Sequence, residues 1–212
     1  MTPSPQDDPK TLVSTDWLAK HLRDPDLRVL DASWYLPAMA RDAKAEYEAA
    51  HIPGARFFDI DEISDQRSNL PHMAPPPEKF ISRMRAMGVG DGHQVVVYDG
   101  AGLFSAARVW WTFRLMGKMD VAVLDGGFPK WQAEGREIED MAPIVRDRHM
   151  TTSRQNQMVK DVTQVAMPPS WARLRSSMLV PPRAFGVRRR SHVRVCARAI
   201  FRDRRTCHSA KF

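Results

Sequence analysis

Residues 95–116 read VVVYDGAGLFSAARVWWTFRLM, and this stretch decides the fold. Gln94 to Tyr98 is a β-branched run without polar alternation, the mark of a central parallel strand covered on both faces. A glycine-containing loop follows, and Ser105 to Met116 has the composition of an aromatic-rich helix. In an open α/β sheet, the loop after a strand's carboxyl end is where ligands and reactive groups gather. Asp99 opens that loop here.

The pattern repeats outward. Ser14 or Thr15 can cap a helix over 15–23. LRVLDASW (27–34) reads as a strand, DAKAEYEAAH (42–51) as a helix, and HIPGARFFDID (51–61) as a turn feeding a short strand at 55–58. A polar loop over 62–77 ends in three prolines, helix 78–87 follows, and Gly88 and Gly90 stop it. Val121 to Leu124 is a second buried strand, with helix 129–135 behind it. Strands alternating with helices predict an α/β fold: a parallel sheet of four or five strands with helices on both faces, over residues 11–140. Residues 1–10 are expected to be disordered and 141–167 to be a linker.

Composition divides the chain. The net charge of +7 hides two regions. Residues 168–212 hold eleven Arg and one Lys against a single acid, Asp203, for +11; the remaining 20 basic and 24 acidic residues leave 1–167 at −4. The basic end lacks lasting 3.6 or 2 periodicity and is expected to be an unstructured, non-native tail. Its Arg188–Arg190, Arg202, Arg204 and Arg205 would attract polyanions without specificity, since the tail lacks helical amphipathicity. Cys196 and Cys207 match no zinc spacing and no disulfide framework. No transmembrane segment and no signal peptide is visible, so a cytoplasmic protein with no membrane partner is the expectation.

Five segments in order, LDASWYLP (30–37), HIPGARFFDID (51–61), PHMAPPPEKF (71–80), VVVYDGAGLFSAARVWWTFR (95–114) and VAVLDGGFPKW (121–131), resemble the first domain of two-domain sulfurtransferases of the rhodanese and 3-mercaptopyruvate sulfurtransferase family. The resemblance covers about 12–140 and stops near Val165. It implies transfer of sulfane sulfur from 3-mercaptopyruvate or thiosulfate to cyanide or a thiol, without a cofactor or metal. In the family's active second domain, a nucleophilic cysteine opens the loop that Asp99 opens here. A carboxylate cannot carry a persulfide, so the resemblance implies an inactive half. Asp61 and His72 match positions that the mercaptopyruvate branch sets beside the second domain's cysteine loop, as a proton relay. No second domain is legible after residue 165, which leads to the expectation of a frameshift or truncation near residue 167.

The other candidates have plainer readings. Asp99 ends a strand and accepts loop N–H bonds; Gly100 and Gly102 make a tight turn, because G-x-G without a third glycine or a lysine is no phosphate fingerprint. His51 stabilises the HIPGA turn through a hydrogen bond. Trp17 and Trp131 are packing residues. One or two of Trp110, Trp111 and Phe113 are expected to face a second domain, and such an orphaned face would drive self-association. Cys196 lacks the glycines that would let a loop wrap a persulfide. The alternative to an enzyme half is a non-enzymatic rhodanese-like binding module.

Overall fold

The computed structural model describes residues 7–166. These fall in two units, 7–159 and the segment from Lys160, whose described part is a short helix at Val162–Ala166. The tail at 168–212, with Cys196, Cys207 and its arginines, lies outside the described residues.

The first unit is built on five parallel strands: β1 (Leu12–Val13), β2 (Leu27–Asp31), β3 (Arg56–Phe57), β4 (Gln94–Tyr98) and β5 (Val121–Leu124). Their order is β1-β5-β4-β2-β3. β4 sits at the centre, with Val96 opposite Val29 on one side and Ala122 on the other. Five strands, all parallel, agree with the fold expected from the sequence.

Six helices connect them: α1 (Thr15–His21), α2 (Ala43–Ala49), α3 (Ile60–Ile63), α4 (Pro77–Ala86), α5 (Ala106–Leu115) and α6 (Gly127–Ala133). Strand side chains alternate between two cores. Leu30, Val95 and Val97 pack with Phe80 and Met84 of α4 and Val109 and Phe113 of α5. Val29, Val96 and Tyr98 pack with Leu18 of α1, Tyr47 of α2 and Trp131 of α6. Each of these helices sends an apolar stripe inward, and both faces of β4 are thereby covered.

Three departures from the sequence reading have physical causes. Residues 7–10 form an ordered turn, because the Asp8 carboxylate accepts from the Lys10 amide and the Thr11 hydroxyl, while Asp7 accepts from the Ser14 amide. The supposed linker is a strap over its first part. Met150 is buried, His149 O accepts from the Asp91 amide, and the Ser153 and Gln155 amides donate to Met116 and Leu115. The helix α3, which spans the end of HIPGARFFDID and the start of the polar loop, is nucleated by Asp59, whose side chain accepts from the Glu62 amide.

Candidate functional site

In a parallel sheet the strand carboxyl ends share one edge. Here the loops after β2, β3 and β4 bring Trp34, Asp61, His72 and Phe104 together along that edge. His72 Nδ1 lies 2.8 Å from Asp61 Oδ1. The Trp34 indole N–H donates to the other oxygen, Oδ2, at 3.0 Å. The Trp34 ring meets His72 edge-on at 4.9 Å between centroids and stacks on Phe104 at 6.4 Å. Asp61 is thus fixed by two donors, and His72 by a carboxylate and a ring face. With Nδ1–H given to Asp61, the basic lone pair of neutral His72 is on Nε2.

The backbone adds to this. His72 has φ of 56°, the left-handed region that a non-glycine residue seldom enters. Arg108 of α5 donates to the His72 carbonyl. Arg108 is half-buried and burial lowers its pKa, yet α5 still commits it to holding this loop. Such an outlier, held by a half-buried guanidinium, is the kind of strain that marks functional loops. The surrounding groove, about 600 Å³, is lined by Asp61, Ser64, Asp65, Gln66, Asn69 and His72. Sequence reasoning named Asp61 and His72, and the fold sets them in contact. It missed Trp34, which lies within a quoted segment but carries no spacing signal, and Arg108, whose partner is a main-chain oxygen.

Asp99 is 1% exposed. Its Oδ1 accepts from the amides of Ala101 and Gly102, at 3.0 and 2.8 Å. Its Oδ2 accepts from Phe104, Ser105 and Ala106, at 2.7, 2.8 and 2.9 Å. The loop is therefore a ring of amides closed on one carboxylate. It also caps α5: Ser105 makes no local cap and instead donates its hydroxyl to the Ala32 carbonyl. Gly100 and Gly102 serve the same turn. Gly102 has φ of 107°, and a Cβ on Gly100 would stand 2.3 Å from the Tyr35 hydroxyl. Nearby Asp31 is buried and its pKa is raised by that burial, while Ser33 donates to it from both amide and hydroxyl.

The aromatic cluster lies mostly within the first core. Phe113 is fully buried, and Trp110 and Trp111 are half-buried against the same core. The Trp110 N–H bonds Val121 O, and Arg114 and Arg108 lie over the two indoles. Large apolar side chains are exposed in the loops of this edge: Leu36, Leu103 and Phe104, with Leu70 and Met73 on either side of His72. Helical period places Trp110 on the side of α5 that meets the sheet margin, away from the loops at its start. His51 is fully buried, pairing Nδ1 with Tyr47 O and stacking on the Tyr47 ring, so it is a core residue beyond a turn bond. Trp131 is core, and Trp17 is half-buried against the second core. Among the described residues no three His, Cys, Asp or Glu side chains converge as a metal set, and no helix is long and apolar enough to cross a membrane.

The chain resembles known sulfurtransferases in sequence and structure. It is 54% identical over 131 residues to thiosulfate/3-mercaptopyruvate sulfurtransferase 1, mitochondrial, of Arabidopsis thaliana, covering 62% of this chain and 35% of that one. It is 50% identical over 128 residues to 3-mercaptopyruvate sulfurtransferase of Homo sapiens, covering 58% and 43%. The crystal structure of SseA from Escherichia coli, a 3-mercaptopyruvate sulfotransferase, superposes with a TM-score of 0.69 at 40% identity, covering 73% of this chain and 59% of that one. The matched region is about a third to less than half of the length of the two curated relatives. The mitochondrial relative corrects the expectation of a cytoplasmic protein. Compartment is written in targeting segments, and a folded body of this kind serves more than one compartment. The rhodanese-like domain family matches residues 14–134. This chain belongs to that family.

Proposed function

We propose that this chain contributes the non-nucleophilic half of a sulfurtransferase centre, and that it is inactive without a cysteine loop from a second rhodanese-like domain. In this reading the cysteine thiolate attacks the sulfur of 3-mercaptopyruvate or the outer sulfur of thiosulfate. The donor's carbon–sulfur bond breaks and releases pyruvate enolate, which takes up a proton, or its sulfur–sulfur bond breaks and releases sulfite; the persulfide then passes its outer sulfur to cyanide or a thiol and the cysteine leaves as thiolate. His72 Nε2 takes the thiol proton, and Asp61 and Trp34 hold the imidazole for it. The observation that carries this reading is the Asp61–His72 pair, held at 2.8 Å on the sheet's carboxyl edge while Asp99 fills its own loop.

The test is thiocyanate formation by the full chain with either donor and cyanide. Background rates are expected from the chain alone. Turnover approaching that of an intact relative would overturn the proposal. A second reading, a docking module without catalysis, draws on the exposed Leu36, Leu103 and Phe104 beside the occupied Asp99 loop. Adding the separately produced second half of a relative separates the two. Restored turnover that depends on His72 supports the enzyme half; binding without turnover supports the module.

A further inference from the structure

The opposite, amino-terminal edge of the sheet carries a second grouping that the sulfur chemistry does not use. Arg28 lies in β2, His93 just before β4, and Arg148 in the strap. The Arg28 Nε donates to Gly88 O at 3.2 Å, and its Nη1 to Pro25 O and Leu27 O at 2.8 and 2.6 Å. Its Nη2 lies 3.0 Å from His93 Nε2. The Gly90 amide donates to His93 Nδ1 at 2.8 Å. Both ring nitrogens of His93 therefore face donors. A neutral imidazole offers one acceptor only, and its other nitrogen carries a hydrogen. With Nδ1 taken by Gly90, the Nε2–H and the Arg28 Nη2–H converge with no acceptor between them.

The charge balance points the same way. A Cβ on Gly90 would stand 3.0 Å from Arg148 Cβ and 3.6 Å from His93 Nδ1, so the strap brings Arg148 beside the ring. Among the described residues no carboxylate pairs with Arg28, Arg56 or Arg148, and the Nε of Arg56 is buried without a hydrogen-bond partner. Burial, then Arg28, Arg148, Lys118 and Arg56, lower the pKa of His93 to about 4. The acids in reach are Asp26 near Arg28, and Asp91 and Asp120 near Lys118; Asp91 already accepts from the Thr151 amide and hydroxyl. One acceptor shared among Arg28, His93 and Arg148 would satisfy these donors together.

We propose that Arg28 Nη2, His93 Nε2–H and the Arg148 guanidinium form a binding site for a small inorganic oxyanion of tetrahedral shape, such as sulfate. One oxygen would accept from both Arg28 and His93 and so replace the donor–donor contact, while Arg148 closes over the others. The site is independent of the sulfur-transfer reading.

The experiment follows the His93 Cε1–H proton resonance in the full chain, assigned with His93→Gln, during titration with sodium sulfate. Sodium chloride at matched ionic strength is the control. The resonance reports locally, so sulfate held by the basic residues of 168–212 does not enter it. Sulfate is expected to move the resonance saturably and to raise the His93 titration midpoint. Arg148→Gln, an exposed change that spares folding, is expected to raise the half-saturating concentration about tenfold. Superimposable sulfate and chloride curves would overturn the site, as would unchanged half-saturation in both Arg148→Gln and Arg28→Gln. Binding of a phosphate monoester tenfold tighter than sulfate would overturn the assignment to an inorganic ion.

Discussion

Replacing Asp99 by alanine removes the acceptor for five backbone amides at once. Three of them, on Ala101, Gly102 and Phe104, lie in part-buried bonds at the loop's exposed side and can recover bonds to water. Those of Ser105 and Ala106 are buried and open α5. A buried donor left without a partner costs about 1–3 kcal/mol, so the two together cost about 2–6 kcal/mol. Adding partial losses at the other three, we expect roughly 4 kcal/mol, a large share of a domain's roughly 5–15 kcal/mol. With a urea dependence of about 2 kcal/mol per molar, the unfolding midpoint should fall by about 2 M. The control is Asp125→Ala, which breaks an exposed pair with Lys130 and should cost no more than about 0.5 kcal/mol. The assay is urea unfolding of the full chains, followed by tryptophan fluorescence and far-ultraviolet circular dichroism. A midpoint shift for Asp99→Ala no larger than that of the control would refute the claim that this carboxylate organises the loop.

Three further outcomes are expected. His93 has a pKa of about 4 in the folded chain against 6.5 for a free histidine, so the unfolded state binds the extra proton first; stability should fall as pH drops from about 6.5 to about 4, and His93→Gln should flatten that slope in pH-dependent melts. Asp61→Asn should shift the neutral His72 ring from the Nδ1–H tautomer toward Nε2–H, read from ring nitrogen chemical shifts; an unchanged tautomer would mean that Asp61 does not set it. Glu139→Ala should cost about 1–2 kcal/mol, because the Gly54 amide loses its acceptor and the buried His51 Nε2 loses a carboxylate 3.5 Å away; an unaltered melting temperature would show that water replaces both.

The strands with the plainest sequence signal are the ones reproduced to the residue. Val95–Tyr98 and Val121–Leu124 are continuous apolar runs, and burial on both faces demands such runs. β1 went unread because two residues, Leu12 and Val13, carry no period of their own; its place comes from pairing with β5. The strap at 145–155 has a single buried apolar anchor, Met150, and is otherwise held by main-chain bonds that any sequence can make and by the Thr151–Asp91 contact. At the site, the same division holds. Asp61 and His72 were legible through a resemblance, and Asp99 through its place after a strand. Trp34 and Arg108 act through an indole N–H and a carbonyl oxygen, and neither residue type announces such a partner. For Trp110 and Trp111, aromatic content gives burial but not direction around a helix.

The pairing of β1 with β5 has a consequence for how the chain is made. Leu12 lies opposite Val123, and Val13 opposite Leu124. At ribosomal speeds of about 5–20 residues per second, the interval between these partners is on the order of 5–20 s. During that time β1 has no neighbour, and β2, β3 and β4 can already associate. β1 is then a latch that shuts on a sheet otherwise complete. A chain stalled before Val121 would present an unfinished β4 edge to the cell, with Leu12 and Val13 tethered nearby and nothing to pair with.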